Sequence, residues 1–361
     1  MRTEYTHSGF EGQDFWIGID VHHRDWKVTV RSMGIELKTM VMPPVPKVLH
    51  GFMCRHYPGG RYHSLYEAGF SGFWAHRQLE QLGFDSWVVH AADVPTSDKE
   101  RRQKDDVRDS RKLARELEKG ELERIHIPDP DLEQLRSLCR LRERCSSHLA
   151  RLKNRLKGHL KYYGIVLPED SAYRHWSGVF LRRLGELSVG GEPAAEYRRF
   201  CLEALQQESR RLAAIMRRLR VHCRKGVAGR IVRLLKTVAG IGPKAAFTLY
   251  TELQDIARFA NLDRLHAYVG LIPSTDSSGE DETMTGITPR RNRLLRTVLI
   301  ESAWMAVRCD PGLAADFMRL ARRMKKQQAI VRIAAKLTAR VAYVWRKGVP
   351  CQPVIPISQP A

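Results

Sequence analysis

Over its first 120 residues the chain alternates short apolar runs with polar breaks. Phe15–Val21 and Trp26–Arg31 are β-rich runs separated by the polar turn His22-His23-Arg24-Asp25, which predicts a hairpin. Glu36–Met42 adds a third strand. Val45–Tyr57 has helical spacing, Arg61–Glu67 reads as a strand, and Ser71–Leu82 reads as a helix closed by Gly83. Asp85–His90 is a further strand. Asp106–Lys119 carries Val107, Leu113 and Leu117 at helical intervals and stops at Gly120. The predicted order, βββ-α-β-α-β-α, is that of a mixed-sheet α/β unit.

Beyond Pro128 and Pro130 the period lengthens. Leu132, Leu135, Leu138, Leu141, Cys145, Leu149, Leu152 and Leu156 recur at steps of three and four, over about four heptads. Residues 164–193 read as an irregular insert rich in glycine. A second helical stretch follows through Phe200, Leu205, Leu212, Ile215 and Leu219. Two long helices around an insert predict an antiparallel hairpin, suited to a bundle or an oligomer seam. From Gly229 onward the pattern is again mainly helical, broken at Gly240-Ile241-Gly242-Pro243. The end, 348–361, is proline-rich and reads as a loose tail.

Charge narrows the function. Among 361 residues, 61 are Lys or Arg and 40 are Asp or Glu, for a net charge of +21. Segments 136–161, 198–236 and 319–347 carry net charges of +8, +10 and +10, so the rest of the chain is net negative. One such block reads equally well as a solvated helix face. Three together need an offset for their self-repulsion, and a phosphate backbone supplies one. A polar start and the lack of a long apolar run predict an intracellular protein with no membrane span. The seven cysteines form no C-x-x-C pair, and no H-E-x-x-H spacing exists, which argues against zinc and against a disulfide framework. No G-x-x-x-x-G-K-[ST] loop exists for ATP.

The candidate chemistry lies at acids and at one serine loop. Asp20 closes the first predicted strand and Glu67 the fourth, while Asp106 and Asp109 share one face of a helix. Adjacent strand ends beneath such a helix would gather four carboxylates. Their repulsion calls for cations such as two Mg²⁺ ions, the apparatus of in-line phosphoryl transfer. Read singly, each acid is a surface residue or a helix-start acid, and Asp105 rivals Asp106. Val238–Ala246 has a helix–hairpin–helix pattern, in which Gly240, Gly242 and Lys244 would offer backbone and side-chain donors to a phosphate. Read alone it is a structural corner. Ser277-Ser278-Gly279 reads as a polar turn, made notable by the nearby Arg290, Arg291, Arg293 and Arg296, whose guanidinium groups suit a phosphate. The acidic run Glu280-Asp281-Glu282 reads as a solvated loop.

Together these pieces resemble a family. Trp16-Ile17-Gly18-Ile19-Asp20, Tyr66-Glu67-Ala68-Gly69, the run Lys104–Ala114, Gly240-Ile241-Gly242-Pro243, Gly270-Leu271-Ile272-Pro273, Ser277-Ser278-Gly279 and Asn292–Arg296 occur in the order found in the DEDD transposases of bacterial insertion sequences. These are of the IS-one-ten type and are related to the Piv DNA invertase. The resemblance implies an RNase H-like (RuvC-like) α/β domain over 1–127, whose Mg²⁺-binding tetrad is Asp20, Glu67, Asp106 and Asp109. It implies a basic helical coiled-coil segment over 128–228, a mainly α transposase domain over 229–347, and a tail over 348–361. The catalytic serine carries over to Ser278, with Ser277 as the alternative. The resemblance further implies an RNA-guided recombinase acting on DNA through a covalent serine link, a structured noncoding guide RNA, a dimer or tetramer, and a cytoplasmic location. A metal-dependent nuclease, junction resolvase or invertase without an RNA guide is the alternative. One departure stands out: where such proteins carry a glycine before the asparagine, this chain reads Pro289-Arg290-Arg291-Asn292.

Overall fold

Phe15, Ile17 and Ile19 point to one side of the first strand and their neighbours to the other, and this alternation builds the N-terminal sheet. The computed structural model describes residues 9–95, 106–165, 176–187, 190–278, 281–287 and 292–352, and gives backbone alone for 106–107, 273–278 and 281–287. The chain divides into two compact units, Met1–Ile127 and Pro128–Ala361.

In the first unit, β1 (Asp14–Val21), β2 (Trp26–Ser32) and β3 (Ile35–Met42) form an antiparallel meander. The strands β4 (Arg61–Glu67) and β5 (Asp85–Val89) extend it in parallel, giving the order β3-β2-β1-β4-β5. On one face Phe15, Ile17, Ile19, Trp26, Val28, Val30 and Tyr66 pack against α1 (Pro46–His56) and α2 (Trp74–Gln81) through Leu49, Met53, Ala75 and Leu79. The second helix starts later than its expected Ser71, because Gly72 at φ +59° turns the chain first. On the other face lies α3 (Asp106–Lys119). Its Leu113 and Leu117 join Leu65 and Val89 in a small core.

The second unit is mostly helical. In α4 (Pro130–Tyr162), Pro130 takes the first helical position and the Asp129 carboxylate caps it, accepting from the amides of Asp131 and Leu132. Its partner is α6 (Glu192–His222). Cys139 and Cys145 near the start of α4 share a core with Leu219 and Cys223 near the end of α6, while Leu156 and Leu160 meet Cys201 and Leu202. The pair is therefore antiparallel.

Two expectations are corrected in this hairpin. The insert contains a helix, α5 (Gly178–Glu186), capped by Ser177. Its Phe180 and Leu184 are buried against Leu156, Leu160 and Leu202, a partner that the local sequence does not reveal. Phe200, expected on the apolar stripe, is 58 % exposed. Five residues turn a helix by about 500°, so Phe200 lies off the Leu205 face, and Cys201 and Leu202 take its place.

Further helices, α7 (Gly226–Leu235), α8 (Pro243–Leu253), α9 (Leu262–Val269), α10 (Arg293–Cys309), α11 (Pro311–Ala321) and α12 (Lys326–Lys347), share one core with the base of the long hairpin. The serine segment is a β-hairpin, not the expected turn or loop. Its strands are β6 (Pro273–Ser278) and β7 (Asp281–Ile287), and two acidic residues expected in a solvated loop pair across it, Ser277 with Glu282 and Ser278 with Asp281, while Glu280 lies outside the described residues. Thr275, Thr283 and Ile287 favour strands, and the ladder satisfies backbone groups that a loop would leave to water. No described helix is long and apolar enough to cross a membrane.

Candidate active site

The parallel pairing of β1 with β4 runs through Ile19 opposite Tyr66, so the next residues, Asp20 and Glu67, are neighbours at the C-terminal edge of the sheet. Tyr66 and Ile19 belong to the core of the α1–α2 face, which turns Asp20 and Glu67 toward the face of α3. In the antiparallel direction Asp20 is paired with Lys27 of β2. One row therefore reads Glu67, Asp20, Lys27.

How α3 crosses this face is set by three contacts. Arg31, level with Trp16, donates to the Glu118 carboxylate at 2.8 Å. Thr29, level with Gly18, shares a 2.9 Å hydroxyl hydrogen bond with Ser110. Gly18 itself lies against the backbone of Ser110 and Ala114. The helix therefore runs antiparallel to β1, its start above the end of that strand. Two strand residues span about 6.6 Å, or about four residues of helix rise, so the Asp20 row is level with the first turn of α3. That turn contains Asp106 and Asp109. The Asp109 side chain is half-buried, whereas Asp105 and the side chain of Asp106 lie outside the described residues.

His22 opens the polar turn that follows β1. Its Nε2 is 2.9 Å from Asp20 Oδ2. Its place two residues after Asp20 was the available signal, and Lys27 could be found only from the strand register. Asp20, Glu67 and Asp109 offer hard oxygen donors, which suit Mg²⁺ or a similar cation. Among the described residues no group of three or more His, Cys, Asp or Glu side chains converges as a metal site.

The opposite ends of the parallel strands are closed by ion pairs. His63 bridges Asp14 at 2.8 Å and Asp85 at 3.1 Å and stacks on Trp16. Hydrogen bonds from Arg61 and His63 hold the Asp14 carboxyl below the usual carboxylate range. This end is self-satisfied, whereas the other carries the aligned acids.

In the second unit Gly240 and Gly242 have different roles. Gly240, at φ +80°, touches the backbone of α10 at Ser302 and Ala306, so it serves packing. Gly242 and Lys244 are exposed at the start of α8, with open space beside Gly242. Near the other end of α8 Glu252 is fully buried, and sequence reasoning did not single it out. Arg140 donates to both of its oxygens at 2.6 and 2.9 Å, Arg136 donates at 3.1 Å and Asn292 at 3.0 Å. Burial pushes the Glu252 carboxyl up, but the Arg140 hydrogen bonds, the charges of both arginines and the Asn292 amide outweigh it, leaving it below its ordinary value.

The Asn292 side chain also caps α10, accepting from the amide of Leu295. Arg293 and Arg296 follow in the first turn of that helix, Arg293 exposed and Arg296 half-buried. Arg290 and Arg291 lie outside the described residues. Ser277 and Ser278 are the last two residues of β6, described by their backbone alone.

Comparison with known proteins gives the family. Residues 232–318 match the family described as "Transposase IS116/IS110/IS902 family", and residues 62–165 match the model of the DEDD transposases of IS110 type. The "Putative transposase y4rJ" of Sinorhizobium fredii is 31 % identical over 300 residues, covering 76 % of this chain and 74 % of that protein. A second protein of that organism, "Putative transposase y4qE", is 30 % identical over 288 residues, 78 % and 68 % of the two chains. The "Transposase for insertion sequence element IS1111A" of Coxiella burnetii is 26 % identical over 208 residues, 55 % of this chain and 54 % of that one. The chain belongs to the IS110/IS116/IS902 family of transposases. It is a DNA transposase, from a family that generally depends on divalent cations.

Proposed function

We propose that this transposase is an RNA-guided site-specific recombinase that cuts and rejoins DNA with a carboxylate tetrad and a serine nucleophile. The observation that carries the first half is the adjacent register of Asp20 and Glu67 at one sheet edge, level with the first turn of the helix that bears Asp106 and Asp109. A three-stranded meander extended by two parallel strands is also the sheet order expected of an RNase H-like domain. Mg²⁺ bound by these carboxylates would supply charge neutralisation at a phosphate. The residues themselves do the holding: Asp20 and Glu67 from the sheet, Asp106 and Asp109 from the helix.

Ser278 is the proposed nucleophile, with Ser277 as its alternative. Its oxygen attacks phosphorus, a phosphorus–oxygen bond to deoxyribose breaks, and the serine proton is lost as the released hydroxyl gains one. The bond energy is kept in the phosphoserine link for rejoining. Arg293 and Arg296 support this reading: cations in the first turn of a helix oppose its dipole, an arrangement that a bound phosphate relieves. Arg290 and Arg291 are assigned with them. Gly242 and Lys244, with Gly240 shaping the turn of a helix–hairpin–helix, are assigned to a second phosphate contact.

Exposed basic residues line the long antiparallel helices, among them Arg144, Arg151, Arg155, Arg210, Arg217 and Arg218. These faces suit a structured guide RNA in addition to DNA, and the helix pair, read as a coiled coil, suits assembly into a dimer or tetramer in the cytoplasm.

The test is to incubate the full chain with Mg²⁺, RNA from its element end and labelled junction DNA, then resolve covalent adducts on denaturing gels. We expect an adduct that is lost with Ser278→Ala and with Asp20→Ala. Metal-dependent nicking without an adduct, unchanged by Ser277→Ala or Ser278→Ala, would make the enzyme a nuclease and overturn the serine assignment.

A further inference from the structure

Lys27 stands in cross-strand register with Asp20, in the same row as Glu67. Directly paired residues on neighbouring antiparallel strands have Cβ atoms about 4.5–5.5 Å apart on one face. That face is fixed by the two residues that alternate with Lys27 along β2. Thr29 bonds to Ser110 and Arg31 to Glu118, both on α3. Lys27 is the third of the series and comes level with the first turn of that helix, where Asp106 and Asp109 lie. Arg31 and Thr29 anchor the helix, while Lys27, half-buried, borders the aligned acids.

From this geometry we propose that Lys27 is a catalytic residue of the carboxylate site, its ammonium donating to a non-bridging oxygen of the DNA phosphate under attack. The proposal rests on the carboxylate reading given above. Four carboxylates carry four negative charges, which two divalent cations balance. A phosphodiester adds one more, and in-line displacement concentrates further charge on its oxygens. Lys27 supplies a cation where that charge develops. A lysine suits this position because its ammonium is a compact point charge on a flexible stem with three donors, able to reach a phosphate oxygen beside the acids. Losing one preorganised donor of this kind costs about 10²–10³ in rate.

The experiment compares Lys27→Gln, Lys27→Met and Lys27→Arg in the full chain, beside Asp20→Ala. Two readouts are needed: the rate of Mg²⁺-dependent nicking of labelled element-end DNA, and Mn²⁺ binding to the protein alone, followed by electron paramagnetic resonance. Lys27→Gln and Lys27→Met are expected to slow nicking about 100-fold. Lys27→Arg should recover most of that loss, and Mn²⁺ affinity should be no weaker than in the unaltered chain. Circular dichroism checks folding, and Lys27→Met keeps the packing of the stem. Nicking within about threefold of the unaltered rate in Lys27→Gln, while Asp20→Ala is inactive, overturns the role of Lys27. Joint loss of Mn²⁺ binding and nicking overturns it also, since Lys27 would then only hold the carboxylates in place. Undiminished nicking by Asp20→Ala overturns the carboxylate reading itself, and the Lys27 proposal with it.

Discussion

Gly18 lies directly against the carbonyl oxygen of Ser110, and a Cβ at this position would overlap that oxygen and the amide nitrogen of Ala114. Nothing flexible separates strand from helix here, because both groups that would be struck are backbone. The contact sets how far α3, with Asp106 and Asp109, stands above Asp20 two residues further along β1.

Gly18→Ala is therefore expected to act on both stability and catalysis. Overpacking of a well-fitted core costs about 1–3 kcal/mol, and a backbone clash belongs at the upper end. Chemical denaturation should show that loss, and metal-dependent nicking should fall further than the fraction unfolded explains. Nicking that follows the folded fraction alone would dissociate this contact from the carboxylate geometry.

Glu252 makes the acid limb of stability testable. Its carboxyl sits below the ordinary value of 4.5: burial raises it, but the hydrogen bonds from Arg140, the charges of Arg136 and Arg140, and Asn292 lower it more. A carboxylate depressed in the folded state stabilises the fold above its unfolded value, and that contribution fades as pH falls through the folded one. Glu252→Gln should flatten the loss of stability below about pH 4.5. Glu252→Ala should cost about 3 kcal/mol at neutral pH, the lower end for a broken buried pair because Arg140 is partly exposed. Urea titrations across pH measure both.

Gly240 and Gly242 stand two residues apart and predict opposite results. Gly240→Ala would strain a φ of +80° and drive a Cβ into the backbone of α10, 2.7 Å from the Ala306 amide. It should destabilise the second unit by more than about 1 kcal/mol. Gly242→Ala meets open space and should change stability by less than about 0.5 kcal/mol. Equal losses in thermal melts would contradict the packing role of Gly240.

Lys244, Arg293 and Arg296 are assigned to phosphates. Each change to alanine should weaken binding to unrelated DNA sequences by similar factors and lower the slope of log affinity against log salt by about one. Fluorescence anisotropy over a KCl series reads this directly, and an unchanged slope would remove that residue from the interface.

Much of the fold was legible in the sequence because it rests on local rules. Alternation over Phe15–Val21 and Trp26–Arg31, the Gly83 stop, and the change of period beyond Pro130 are decided within a few residues, and the structure follows them. Where a non-local partner decided the outcome, local reading failed. The helix Gly178–Glu186 is held by leucines of α4 and α6, and the strands at Ser278 exist by pairing with one another. Phe200 differs from these: its exposure follows from local helix geometry, since five residues before Leu205 it falls on another face.

The sequence alone determined the basic blocks and most of the order of elements, since composition and local periodicity carry these, and its resemblance to a family singled out Asp20, Glu67, Asp106, Asp109 and Ser278 as candidates. Register was different. A residue's neighbours across strands depend on which strands pair and at what offset, and hydrogen bonding between distant segments sets that offset. Only the tertiary structure therefore decided that Asp20 lies between Glu67 and Lys27, that Gly18 seats α3, and that Glu252 joins Arg140 to Asn292.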